Sequence, residues 1–279
     1  MDLHASPSAS ALDLQLQQYV RAIAPFGRET AQIGPFLATF HPTDPLTYVN
    51  YAIPDDGARP TAEDVAALVA AYEHRGRVPR LEYLPSAAPH VEAALLAGGF
   101  VAEARLPAMT CVPEQLVPVS APDGIEIAVP RDDVESYALL AAQHDAFGDS
   151  EPDEGSVARI RAMLDAGALA VLARDRSNGE VVGGGLAAIP SGGVTEIAGI
   201  GVRAGHRRQG IAAAMTARVT ADAFAAGLTT AFLTPGNDGA HRVYARAGFV
   251  DSTVMLHISR TVAAGDGGAA RASEGEAAA

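Results

Sequence analysis

Two hydrophobic periods alternate along the chain, one of helices and one of strands. Leu12, Leu16, Tyr19 and Ile23 fall at helical spacing, and that pattern stops before Pro25. Pro35–Phe40 and Leu46–Ile53 read as short strands separated by the turn-rich His41-Pro-Thr-Asp-Pro45. After the loop 54–60, Thr61 caps a helix whose apolar face is Val65, Leu68, Val69 and Tyr72. A strand over Arg80–Leu84 follows, then a helix to about Leu96, which Gly98-Gly99 ends, and Phe100 opens another strand.

After Val117-Pro118 the pattern begins again. Gly124–Val129 predicts a strand, and helices follow from Pro130 to about Phe147 and from Ser156 to Ala166. Ala168–Arg174 and Val181–Ile189 predict a hairpin around Ser177-Asn178-Gly179. Strand Val194–Arg203, a loop, a helix from Gly210, strand Thr229–Thr234, a helix ending at Gly248 and strand Phe249–Ser259 complete the series. Residues 124–259 therefore read β-α-α-β-β-β-α-β-α-β. The fold class is α/β (α+β), with a twisted mixed sheet flanked by helices. The expected units are 1–115 and 116–262, with a disordered acidic tail over 263–279.

Composition narrows the function. The 279 residues carry a net charge of −13, which argues against a nucleic-acid partner because the phosphate backbone rewards basic faces. Hydrophobic content of 48% fits a globular protein, and no uninterrupted apolar run is long enough to span a bilayer. The single cysteine, Cys111, excludes an internal disulfide and fits a reducing compartment. No apolar h-region follows Met1-Asp2, so no signal peptide and a cytoplasmic location are expected. The eight histidines and Cys111 show no metal-ligand spacing, so no metal is expected.

Against this acidic background one loop is basic. Arg203, Arg207 and Arg208 lie between the strand ending near Val202 and a helix that opens at Gly210 with Ile211, Met215, Val219 and Ala223 on one face. Glycine lets backbone approach a ligand, a helix start offers unpaired N–H groups, and arginine forks match phosphate. Together they describe an anion cradle. Arg207-Arg-Gln-Gly210-Ile-Ala212 resembles the R/Q-x-x-G-x-G/A diphosphate loop of the GCN5-related N-acetyltransferase (GNAT) superfamily. The element order over 124–259 resembles the same family and is the more specific match. So does Asn237-Asp-Gly-Ala240-His-Arg-Val243-Tyr244-Ala-Arg-Ala-Gly248-Phe249, which follows the family's N-x-x-A-x-x-x-Y-x-x-x-G-F pattern.

That resemblance implies transfer of an acetyl group from acetyl-coenzyme A, as co-substrate, to an amine on a small molecule or peptide, by a monomer or homodimer. It implies that Ile200, Gly201 and Val202 supply strand backbone to the pantetheine arm and thioester. It places the diphosphate on Arg207, Arg208, Gln209, Gly210, Ile211, Ala212 and Ala213, and a coenzyme contact on Asn237. Tyr244 stands where the family places a general acid for the leaving thiolate; read from its helix face alone, it is a core tyrosine. Asn237 reads equally as a helix N-cap. Glu196 shares the strand phase of Val194, Ala198, Ile200 and Val202, so it is a carboxylate on an apolar face. It is either a base or a carboxylate paired at the sheet end, and a bulge would change where it points. The acidic segment 144–154 suits a cationic acceptor or is a solvated loop.

The two halves resemble each other. Leu81-Glu-Tyr-Leu-Pro85, a helix and Gly99-Phe100-Val101 parallel Ala231-Phe-Leu-Thr-Pro235, a helix and Gly248-Phe249-Val250. Aligned on the Gly-Phe pairs, Leu95 stands opposite Tyr244 and Ala88 opposite Asn237. Asp55 and Asp56 stand where the second half carries arginines, and would repel a diphosphate. The first half reads as a degenerate GNAT-like repeat, so two GNAT-like domains in tandem with one coenzyme site are expected. Two glycine patterns of dinucleotide type, at Gly183 and Gly199, lack the helix that such a site needs. A non-catalytic acyl-coenzyme A sensor is the alternative reading.

Overall fold

The computed structural model describes residues 10–260, apart from the side chain of Glu154. The expected tail over 263–279 lies outside these residues. The described chain forms two compact units, one of residues 10–107 with 253–260 and the other Ala108–Ser252.

The first unit begins with α1 (Ala11–Ile23), started by a reciprocal capping box between Ser10 and Asp13. Strands β1 (Glu29–Ile33) and β2 (Phe36–Phe40) form a hairpin with Ile33 opposite Phe36. Then come β3 (Ala52–Pro54), α2 (Ala62–His74), β4 (Arg80–Tyr83), α3 (Val91–Ala97) and β5 (Val101–Cys111). The helical apolar positions meet the sheet as their spacing requires: Leu16, Leu68, Tyr72 and Leu95 are all fully buried. Strand β1 is absent from the sequence reading because its residues are largely exposed and give no apolar alternation. The expected strand Leu46–Ile53 shrinks to β3. Asn50 is the reason: fully buried, it donates to the carbonyls of Asp44 and Leu46 (2.8 and 2.7 Å) and accepts from His41 N–H (2.8 Å), closing the preceding residues into a compact loop.

The second unit runs β6 (Ile125–Ala128), α4 (Asp133–Phe147), α5 (Glu154–Asp165), β7 (Leu169–Asp175), β8 (Val181–Ala187), β9 (Val194–Val202), α6 (Ile211–Ala225), β10 (Thr230–Leu233), α7 (Asp238–Arg246) and β11 (Val250–Ser259). This is the order read from the sequence. Its sheet has the order β5-β10-β9-β8-β7-β6. All neighbours in it are antiparallel except β9 and β10, which are parallel. Helix α6 packs on β7, β8 and β9, with Met215 and Val219 fully buried. Helix α4 packs on β8 and β9. A Cβ on Gly183 would meet Met215 of α6, and one on Gly184 would meet Leu139 of α4. Successive strand residues face opposite ways, so the two helices cover opposite faces.

Strand ownership differs from a single break near residue 115. The residues of β5 from Ala108 onward belong to the second unit, where Met109–Cys111 pair with β10. The residues of β11 from Thr253 onward belong to the first, where Leu256–Ser259 pair with β4. These two strands are 11 and 10 residues long, so each has length enough to serve one unit at its start and the other at its end.

Candidate active site

The site is organised by the way β9 leaves its neighbour. Strands β9 and β10 pair over three positions only, the last being Glu196 opposite Phe232. Residues 197–202 continue β9 with no counterpart on β10. On the other side β8 follows β9 throughout, but the register slips between Gly184 and Leu186. Gly201 faces Gly184 and Ala198 faces Leu186, which leaves Gly199 and Ile200 as a bulge. Gly199 has φ +63°, a conformation that glycine adopts without steric cost.

The bulge changes the strand phase that alternation predicts. Ile197, Ile200 and Val202 lie in one core cluster with Ile211, Met215 and Val219 of α6. The missing Cβ of Gly201 faces Ala146 and Phe147 of α4. Glu196, the neighbour of Ile197, therefore points to the α4 face, and Ile200 and Val202 do not share its face. The expectation that all three line one apolar face is corrected by the extra residue. Glu196 is half-buried and its carbonyl accepts from Ala188 N–H (2.8 Å).

Beyond Val202 the chain makes a short 3₁₀ turn over Ala204–His206 and reaches the start of α6. The three arginines divide by role. Arg203 bonds the Val181 carbonyl (3.1 Å) and pairs with Asp145 (3.3 Å). Arg207 donates from Nε to the Val202 carbonyl (3.0 Å) and from Nη2 to the Ala146 carbonyl (2.8 Å), tying the loop to the ends of β9 and α4. Arg208 is exposed, with no ion pair among the described residues. It is also the one non-glycine described residue with positive φ, +62°. A left-handed conformation there costs on the order of 1–3 kcal/mol, a strain typical of ligand clamps. The cradle therefore offers one open guanidinium and backbone N–H groups, rather than three free forks. His206 sits 3.5 Å from Asp175.

Gly210 is the N-cap of α6, at φ +90°, with no side chain capping the helix. A Cβ built there meets nothing within 4 Å. The first-turn N–H groups of Ile211, Ala212 and Ala213 have no side-chain cap, and they carry the positive end of the helix dipole.

Tyr244 lies on α7, buried in the cluster that also holds Ile200, Val202 and Ile211. Its ring packs on Phe249 with centroids 6.5 Å apart. Burial pushes its hydroxyl up to about 12, so the proton stays on at neutral pH. Asn237 caps α7, its Oδ1 accepting from Ala240 N–H at 2.9 Å. Cys111 is fully buried and burial raises its thiol to about 11, which makes it a poor nucleophile. In the acidic segment, Asp145 pairs with Arg203 and Asp153 caps α5, bonding Ser156 N–H (2.8 Å). No cluster that could hold a metal exists among the described residues.

The first unit has the same frame and fills it with its own side chains. Strands β3 and β4 run parallel and pair at one position, Ala52 opposite Leu81. Beyond it the fully buried Gln17 of α1 bridges them, donating to the Pro54 carbonyl (3.0 Å) and accepting from Leu84 N–H (3.0 Å). The start of α2 is closed by the Thr61–Asp64 capping box, and Asp55 is paired with Arg21 (2.6 Å). Gln17 had no distinguishing motif; its only trace is a polar residue between Leu16 and Tyr19 on a buried face. Gln17→Leu should lower the melting temperature, because it leaves a buried carbonyl and N–H unpaired at about 1–3 kcal/mol each. A thermal melt unchanged from wild type contradicts that bridging role.

Residues 136–249 match the model of the Acetyltransferase (GNAT) family. A search of curated proteins finds no match. Among solved structures, a GCN5-related N-acetyltransferase from Kribbella flavida is 27% identical, with a TM-score of 0.75, over 90% of this chain and 96% of that one. Two others share the fold. A GCN5-related N-acetyltransferase from Sphaerobacter thermophilus (17% identity, TM-score 0.62) covers 81% of this chain and 80% of its own. A tandem GNAT protein from the clavulanic acid biosynthesis pathway (13%, 0.61) covers 94% and 91%. A mixed sheet flanked by helices, a strand that parts from its parallel neighbour and an uncapped glycine-led helix thus occur where the family match falls, and residues 136–249 are similar to the GNAT acetyltransferase family.

Proposed function

We propose that the second unit transfers an acetyl group from acetyl-coenzyme A to a primary amine of a small molecule or peptide, by direct attack in a ternary complex. The observation that carries this reading is the continuity of β9 into α6. One stretch of backbone passes from an unpaired strand edge at 197–202 to the uncapped start of α6 at Gly210. An extended arm with amides needs the first and a diphosphate needs the second. The pantetheine arm lies along Ile200, Gly201 and Val202. The diphosphate lies on the N–H groups around Gly210, Ile211, Ala212 and Ala213, with Arg208 and Gln209 at its edge. Arg207 holds the loop in shape, and Asn237 fixes the start of α7 beside the coenzyme.

The chemistry needs few parts. A neutral amine attacks the thioester carbon; the C–N bond forms and the C–S bond breaks. The carbonyl oxygen gathers negative charge and takes a backbone N–H bond from β9. The leaving thiolate takes the Tyr244 proton, and the amine's surplus proton leaves through Glu196 or water. Holding the two substrates together supplies much of the rate.

The test is release of free thiol from acetyl-coenzyme A across a panel of amines, amino acids, aminoglycosides and peptides. Release with at least one acceptor is expected. Coenzyme binding without release across the panel favours a non-catalytic acyl-coenzyme A sensor, and no binding defeats both readings.

A further inference from the structure

Gln143 is a polar residue on the buried face of α4, beside Leu139, Ala142 and Ala146, and it is 5% exposed. Its Nε2 donates a short hydrogen bond to the carbonyl of Gly199, the bulge residue of β9. The fit is close on both strands beneath it. A Cβ on Gly199 would lie 2.5 Å from Nε2, and a Cβ on Gly184 would lie 2.9 Å from the Gln143 Cγ. Two glycines therefore make room for one amide, and that amide holds one carbonyl.

The consequence follows from peptide geometry. The described chain has no cis peptide bond, so the Gly199 carbonyl and the Ile200 N–H belong to one trans plane and point in opposite directions. Fixing the carbonyl against α4 turns the Ile200 N–H away from α4. Gly199 and Ile200 fall in the register slip against β8, and β10 stopped pairing at Glu196. Ile200 thus lies past the last β10 pair, with Gly199 opposite Gly185 in the bulge, at the stretch where the thioester lies in the proposed reaction.

We infer that Gln143 is a positioning residue: through the Gly199 carbonyl it locks the bulge peptide and aims the Ile200 N–H at the thioester carbonyl. This rests on the acetyl-transfer reading above. Gln143 touches no reacting atom. It removes the freedom of a peptide plane that would otherwise rotate, which matters because a donor acts on developing charge only if it is already aimed.

Gln143→Met keeps length and volume but removes the donor. Its kcat should fall about tenfold to a hundredfold, below the full loss of an oxyanion donor, with KM for acetyl-coenzyme A within about twofold. Affinity for free coenzyme A, which has no thioester carbonyl, should stay at the wild-type value. Gln143→Glu supplies a second readout. Only its protonated carboxyl can donate, so its activity relative to wild type should rise as pH falls. A side chain that merely fills space gives a flat ratio. Wild-type kcat in Gln143→Met, a joint shift of kcat, KM and melting temperature, or a flat Gln143→Glu ratio overturns this role alone. No thiol release from the wild type overturns the acetyl-transfer reading and this role with it.

Discussion

Tyr244→Phe is expected to lower kcat by about 10²–10⁴, the usual contribution of a positioned proton donor, while acetyl-coenzyme A affinity stays within about twofold. The substitution keeps the ring that packs on Phe249 and removes only the hydroxyl. Tyr244 is 6% exposed, and its burial holds the hydroxyl protonated up to about pH 12. The pH profile carries the sign. Activity should climb with pH as the acceptor amine loses its proton, and Tyr244 should remain a competent acid until the pH approaches about 12. The variant should therefore be slower at every accessible pH, without an earlier alkaline fall. Steady-state kinetics with a titration of coenzyme A checks both halves. A wild-type rate returns Tyr244 to the role of a core residue packed beside Val243 and Ala247.

Gly210→Phe is expected to weaken acetyl-coenzyme A binding by at least about a hundredfold, roughly 2.7 kcal/mol. Two effects act at this position. The left-handed backbone, φ +90°, strains any residue with a Cβ by about 1–2 kcal/mol. The side chain would also extend into space where no protein atom lies within 4 Å of the Cβ, in front of the uncapped N–H groups of α6. Gly210→Ala separates them, since it carries the strain with little of the bulk. The account expects most of the loss only with phenylalanine. Equal loss in both, accompanied by a lower melting temperature, would make Gly210 a folding residue rather than the wall of a site.

The course of the second unit was legible because its punctuation is strong. Ser177-Asn178-Gly179 marks the β7–β8 hairpin, Gly210 opens α6, and Asn237 caps α7. Alternation failed where the strand itself is irregular. Counting by twos placed Ile200 and Val202 on the face of Glu196, and one bulge at Gly199 moved them to the α6 side. The arginines show a different limit. Sequence reports charge, but Arg207 directs its donors at the Val202 and Ala146 carbonyls, which are invisible until the ends of β9 and α4 are brought together. Gln143 and Gln17 went unread for the same reason. Each looks like a stray polar residue on a helix face, and each acts through a backbone group distant in sequence. Exchange of strand ends between the units was also hidden, since β5 and β11 each read as one uninterrupted strand.

The first unit explains why one site per chain is expected. Its strand gap holds the Gln17 amide, its helix start holds the Asp64 carboxylate, and the Asp55 carboxylate is paired with Arg21. In the second unit β9 has no register partner on β10 past Glu196, and α6 starts with no side-chain cap. Calorimetric titration of the whole chain with acetyl-coenzyme A tests this most directly: the account predicts one site per chain, lost in Gly210→Phe, whereas no binding, two sites, or one site that survives Gly210→Phe would contradict it.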